Sequence, residues 1–207
     1  MRHSDAYLLV GLATDSMKGC ALKMTTGEIT YGFEVPGDVY EKLLHDGEKI
    51  DALPHRFDLF DFFVTAAVLY EWVKQHHLED SVVGAIHRAF EEKSPDRLPE
   101  LVNAWITDTT CIPNRRPDIR RDIFNAVSIC WTTANATKHC HWRGNVTAIE
   151  DAPVIKDFYQ YCFTSVEPGI YVEFSGEYYT VAQVKNIVLQ FYAGLLEHLK
   201  EDSLRRE

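Results

Sequence analysis

The stretch Asn135-Ala136-Thr137-Lys138-His139 holds the side chains best suited to chemistry in this sequence. Asn135 and His139 are four residues apart, so on a helix they share a face, with Lys138 beside them. An amide there could orient a ligand, a lysine could hold an anion, and an imidazole could move protons. Asp61, on an earlier helix, is placed to meet Lys138 or His139, because a carboxylate on the polar strip of a core helix needs a partner. Lys138, His139 and Asp61 are therefore the catalytic candidates. Asn135, Lys138 and His139, with Arg120 and Arg121, are the binding candidates. A structural reading competes with this one. Lys138 and His139 near a helix C-terminus suit the negative end of the helix dipole, and Asp61 near a helix start suits the positive end.

Other chemistries find less support. His139-Cys140-His141 with Cys130 or Cys162, and the pair His76-His77, hold metal-ligating types, but neighbouring residues point different ways and paired ligand spacing is missing. His45-Asp46 is a dipeptide also found among metal phosphohydrolases, and one such dipeptide is common by chance. No metal site is expected. No P-loop, dinucleotide fingerprint or nucleophile elbow occurs, so no cofactor is expected either. The basic run Asn114 to Arg121, which includes Arg120 and Arg121, marks a helix start; Lys138 to Arg143 marks the far end, roughly 30 Å away. The two cannot form one compact patch, and a solvated, salt-bridged loop is the preferred reading of the first.

The whole-chain balance agrees. With 21 Lys and Arg against 31 Asp and Glu, the net charge is -10. That disfavours a nucleic-acid ligand, since such affinity rests on basic phosphate contacts. Hydrophobic residues make up 46% of 207 residues, enough for a sizeable core. Five cysteines, odd in number and widely spaced without a Cys-x-x-Cys pair, suggest a reduced compartment. The apolar run Tyr7 to Ala13 is too short to span a membrane. A cytoplasmic protein without membrane association is expected.

The elements that would position these residues follow from periodicity. Residues 6–36 read as a β-meander, with strands at Tyr7–Val10, Cys20–Met24 and Ile29–Val35 and a turn at Thr25-Thr26-Gly27. Pro36-Gly37 closes it, and Asp38 is the expected N-cap of a helix. Residues 38–140 read as a helical core. Its first long helix, Phe57 to Gln75, is apolar on almost every face and should be covered on most sides; only Asp58, Asp61 and Thr65 make a polar strip. Short helices are expected at Ser81–Glu92 and Pro99–Ile106. The second long helix, Asp118 to His139, buries Ile119, Ile123, Val127, Cys130 and Ala134. Residues 141–200 read as strands at Trp142–Ile149, Phe158–Thr164 and Ile170–Phe174, then a turn at Ser175-Gly176-Glu177 and a final helix. Thr180 and Gln183 form its capping box, Val184, Val188, Phe191, Leu195 and Leu199 its inward stripe, and the tail from Lys200 should fray. The fold class is α+β in a single domain, residues 1–207: a helical core of two long buried helices plus a C-terminal helix, with small antiparallel sheets.

Asp61-Phe62-Phe63-Val64-Thr65-Ala66 together with Asn135-Ala136-Thr137-Lys138-His139 resembles a family of uncharacterised bacterial proteins. Its pattern is an aromatic-rich helix followed by a helix ending in Asn-Ala-x-Lys-His. That family is in turn distantly similar to the HEPN helical domains of toxin–antitoxin and antiviral systems. The resemblance runs from about Phe57 to the end of the chain. Ribonuclease HEPN domains place an Arg four to six residues before a His on one helix. No Arg here has a His at that spacing, and Arg121 and His139 are too far apart, so the resemblance does not imply ribonuclease activity. It implies a partner-binding role. More faintly, Val10 to Asp15 resembles the opening of ribonuclease-H-like folds, where a first-strand acid helps bind metal; later acidic partners are not identifiable.

The expected function is a non-enzymatic HEPN-like binding or regulatory module, serving bacterial defence or a toxin–antitoxin pair through a protein partner. One alternative is an enzyme acting on RNA or a nucleotide with Asn135, Lys138, His139 and Asp61. The other is a self-associating structural domain joined through Tyr159, Tyr161 and Tyr171.

Overall fold

Proline at the first helical position and a carboxylate two residues on open the helical core. The computed structural model describes residues 33–52, 56–112, 118–139, 147–149 and 171–205. All of them lie in the second of two units, Met1–Gly32 and Phe33–Glu207. Helix α1 spans Pro36–Ala52. Its Asp38 carboxylate accepts from the backbone N–H of Glu34 at 2.7 Å and of Val35 at 3.0 Å. Asp38 is thus not the N-cap residue expected. It sits in the first turn of the helix and reaches back to the residues before it, as the acid of a capping box does, while Pro36 opens the helix. The meander strands at Tyr7–Val10 and Cys20–Met24 lie outside the described residues. Of Ile29–Val35, the described end, Phe33–Val35, is not in a strand.

Helix α2, Arg56–His77, is the first long helix. Its stripe of Phe62, Phe63, Ala66, Leu69 and Val73 is buried. It packs chiefly on α1 and on α5, Arg120–His139, and touches α3, Ser81–Glu91. The expected cover is incomplete: Phe57, Phe60 and Val68 are 61%, 40% and 38% exposed. These positions lie on the side of α2 turned from its neighbours, and no periodicity argument could have separated them from the core stripe, because both stripes are equally apolar.

Helix α3 is capped by Asp80, whose carboxylate accepts from Val82 and Val83 N–H at 2.9 and 3.0 Å. A 3-10 turn at Pro95–Arg97, the single turn α4 at Val102–Trp105 and a second 3-10 turn at Thr109–Cys111 follow. Helix α5 buries Ile123, Val127, Cys130 and Ala134 as expected, with Ile119 just before it. Strands β1 (Thr147–Ile149), β2 (Tyr171–Phe174) and β3 (Glu177–Thr180) form one antiparallel sheet in that order. Ser175 at φ 53° and Gly176 at φ 78° make the two-residue turn between β2 and β3, where two left-handed residues match the twist of the strands. The expected strand Phe158–Thr164 and the start of Trp142–Ile149 lie outside the described residues. Helix α6, Val181–Arg205, runs beyond Lys200. Its box is complete: Gln183 N–H donates to Thr180 Oγ1 at 3.1 Å, and Thr180 N–H donates to Gln183 Oε1 at 2.8 Å. The fold is α+β with a helical core.

Hydrogen bonds between elements lock the helices in place. Tyr192 on α6 donates to the Ala66 carbonyl of α2 at 2.8 Å, which opens no gap in the core because the bond satisfies the buried hydroxyl. Gln190 accepts from Thr107 and Asp108 N–H at 2.9 and 2.8 Å, fastening the loop after α4 to α6. Asp46 on α1 is 1% exposed. It pairs with Lys42 and Lys49 and accepts from the Thr65 hydroxyl of α2 at 2.7 Å. Burial pushes the Asp46 carboxyl up, but the bonds from Lys42 and Thr65 outweigh it and hold the group below its ordinary 3.8. Thr65, expected on a polar outer strip, is buried to make this contact.

Two outcomes follow. A Cβ on Gly194 would lie 2.3 Å from Trp105 Cγ. Gly194→Ala should therefore lower stability by about 1–3 kcal/mol in thermal or urea unfolding, and Trp105→Ala in the same chain should relieve much of that loss. Because the folded pKa of Asp46 is depressed, its contribution is complete above the unfolded value and disappears as pH falls through the folded one. Asp46→Asn should cost about 1–3 kcal/mol at neutral pH, and the variant should lose less stability than the parent on acidification below pH 3.8.

Candidate functional site

Helix α5 is buried on one side and opens on the other into a cleft of about 1140 Å³. Its floor is the α5 face carrying Arg121, Phe124, Asn125, Ser128, Trp131, Thr132 and Asn135. One wall is α2, through Ala67, Tyr70, Glu71 and Lys74. The opposite wall is α3 and the turn after it, through His87, Phe90, Glu91 and Lys93, and Phe174 and Ser175 of the β2–β3 hairpin close in as well.

Local sequence explains why α5 turns this face outward. Asp122 and Asn125 sit on its first turns and are 0% and 2% exposed. Asn125 Nδ2 donates to the Tyr179 hydroxyl of β3 at 2.9 Å, and that hydroxyl donates to Asp122 Oδ1 at 3.0 Å. Burial raises the Tyr179 phenol, and the facing Asp122 carboxylate raises it further although Asn125 opposes, so the hydroxyl stays a donor. The hairpin is thereby fixed to the start of α5. Arg120 fastens the other side. Its guanidinium pairs with Asp118 and donates to the Asp96 and Leu98 carbonyls at 3.0 and 3.2 Å, which ties the turn carrying Lys93 and Pro95 to the helix start.

Inside the cleft, rings and charges alternate. Phe90 and Phe124 stack with centroids 4.8 Å apart and planes 9° apart, and Tyr70 meets Phe90 edge-on at 5.4 Å. Trp131 is 49% exposed. The His87 Nδ1 lies 3.2 Å from the Tyr70 hydroxyl, and its Nε2 lies 3.2 Å from Glu91 Oε1. With its Nδ1 unprotonated the ring accepts from Tyr70, and its Nε2 faces the Glu91 carboxylate. Burial raises the Tyr70 phenol well above its ordinary 10.0, and the nearby Glu71 and Glu91 charges add to it, so it is a poor proton donor to a substrate. Lys74, Lys93 and Arg121 have no ion-pair partner among the described residues.

The structure distributes the sequence candidates unevenly. Asn135 is half-buried and lines the cleft. Lys138 and His139 belong to the last turn of α5, and their side chains lie outside the described residues. Asp61 is exposed on α2. Arg120 and Arg121, taken together in the sequence, part company: the first is held by Asp118 and two carbonyls, the second faces the cleft. His45 and Asp46 also diverge, since Asp46 is enclosed by two lysines while the His45 side chain is 68% exposed near Glu48. Among the described residues no three His, Cys, Asp or Glu side chains cluster as a metal ion would require. Burial pushes the Cys130 thiol far up, which removes it as a nucleophile. Tyr159 and Tyr161, and the side chain of Tyr171, lie outside the described residues. No described helix is long and apolar enough to cross a membrane.

Sequence reasoning missed Tyr70, His87, Phe90, Phe124 and Trp131. One signal was present: His87 and Glu91 are four apart on a helix. The other was the row Arg121, Asn125, Ser128, Thr132, Asn135, a polar file opposite the apolar stripe.

Tyr179→Phe should cost about 1–3 kcal/mol in urea unfolding, since it leaves Asn125 and Asp122 each short of a buried partner. Asn135→Ala, at the cleft edge, should leave stability within about 0.5 kcal/mol of the parent. No family model, no curated protein and no solved structure matches this chain, so the cleft is read from its own residues.

Proposed function

We propose that the chain is a non-enzymatic binding or regulatory module whose protein partner occupies the cleft between α2, α3 and α5. One observation carries this reading. Among the described residues the imidazole that lines the cleft is His87, whose Nδ1 is hydrogen-bonded to Tyr70 and whose Nε2 has Glu91 at 3.2 Å, so its neighbours flank both nitrogens that a reacting group would need. The cleft is otherwise built of rings, amides, hydroxyls and charged side chains, a mixture suited to recognising a partner surface. A half-exposed tryptophan in a concave site is the kind of anchor on which binding energy concentrates. The resemblance of α2 and α5 to HEPN-like helices points the same way, to a module acting through a partner in bacterial defence or a toxin–antitoxin pair.

The test has two arms. Purified protein should leave a panel of RNAs and nucleotides chemically unchanged, and a partner protein cross-linked through a photoreactive residue at Ser128 should be lost in Trp131→Lys while circular dichroism stays the same. Turnover of any RNA or nucleotide that disappears in His139→Ala with folding retained would replace this reading with the enzyme built on Asn135, Lys138, His139 and Asp61.

A further inference from the structure

The fold uses only part of the polar file on α5: Asn125 is buried against Tyr179, while Arg121, Ser128, Thr132 and Asn135 are exposed or half-buried along the cleft. Arg121, Asn125, Ser128, Thr132 and Asn135 advance by alternating steps of four and three residues, the spacing at which one helix packs along another. The file runs along the cleft for about 21 Å, four helical turns. Beside it lie Phe124 and Trp131, seven residues apart and on the same side of the helix. The α5 face therefore presents the half-exposed Trp131 on one edge, with Phe124 buried beneath against Phe90, and hydrogen-bonding side chains on the other, with α2 and α3 as walls.

We infer that this cleft seats an acidic amphipathic helix of a protein partner, its apolar face on Trp131 and its carboxylates toward Arg121, Lys93 and Lys74. The inference rests on the binding-module reading and names its occupant. Charge complementarity selects the acid. Those three cations have no ion-pair partner among the described residues, in a chain with ten more acids than bases. Lys93 and Arg121 lie at the same end, because Arg120 ties the turn after α3 to the start of α5. The volume of about 1140 Å³ lies above the roughly 300–1,000 Å³ typical of small-molecule sites and suits a larger occupant. A nucleic-acid strand fits poorly. Its phosphates come at every step and must pass Glu71 and Glu91 on the walls, under a net charge of -10. A helix can set apolar or basic residues opposite those two acids and carboxylates opposite the cations.

A displayed library of helices about 15 residues long tests this, with one apolar face and Glu or Lys randomised on both flanks. Selection on the full chain should enrich Glu. Selection on Arg121→Glu/Lys93→Glu should shift the enrichment toward Lys, both positions being exposed, so the fold is kept and circular dichroism checks it. The best acidic helix, made as a labelled peptide, should bind Trp131→Ala about 10-fold more weakly. Equal enrichment of Glu and Lys, an enrichment unmoved by the charge reversal, a peptide indifferent to Trp131→Ala, or no enrichment at all overturns the inference. So does a single-stranded RNA oligonucleotide that binds the cleft more tightly than the peptide. None of these outcomes bears on whether the protein turns over RNA or nucleotides, so the binding-module reading stands or falls by its own experiment.

Discussion

Asp122 and Asn125 lie one turn apart on α5, and both meet the hydroxyl of Tyr179 from the neighbouring strand. Neither polar group can be buried without a partner at a cost below about 1–3 kcal/mol, so the three side chains settle only where the hydrogen bonds close. That closure fixes the rotation of α5 about its own axis. With Asp122 and Asn125 held by Tyr179, Arg121, Ser128, Thr132 and Asn135 are left along the cleft, and Ile123, Val127 and Cys130 face the core. Tyr179 is followed directly by Thr180, which caps α6, so the same contact also sets where the C-terminal helix begins.

A second set of buried polar contacts holds α1 to the rest. Asp46 with Lys42, Lys49 and Thr65 joins α1 to α2, and Lys185 pairs with Asp51 to join α6 to α1. An ion pair at such a site gives little net stability compared with an apolar contact of the same shape, because its buried member loses water. What it gives is register. A one-turn slip of α1 along α2 would leave Asp46 buried without Thr65, a state the low interior dielectric penalises heavily. Apolar packing between two smooth stripes has no such penalty, and α2, apolar on nearly every side, needs it most.

The cleft is lined by side chains held by their neighbours. Its histidine is braced between Tyr70 and Glu91, and the stacked pair of Phe90 and Phe124 joins α3 to α5 at its base. Braced side chains on packed helices present a fixed shape, and a fixed shape lowers the ordering cost of association. The mixed charge of the walls adds discrimination, since a partner that sets like charge against Glu71 or Lys74 is rejected.

Much of the fold was legible before any coordinates. The stripes of α5 and α6, the capping box of Thr180 and Gln183, and the turn at Ser175-Gly176 depend on residues close in the chain, where period and local hydrogen bonding decide the outcome. The candidate site was legible only in part. Asn135 was visible at the edge of a buried stripe, because a helix face follows from spacing alone. The walls were not. That Arg121 faces a cleft while Arg120 is tied to carbonyls of a distant turn, that Thr65 is buried against Asp46, and that Phe60 and Val68 stay exposed on an apolar helix are decided by which helix packs where. Those contacts join residues tens of positions apart, and spacing within one helix carries no information about its neighbours. The sequence by itself determined the helices and the face that each must bury; tertiary packing alone decided which polar face was left along the cleft.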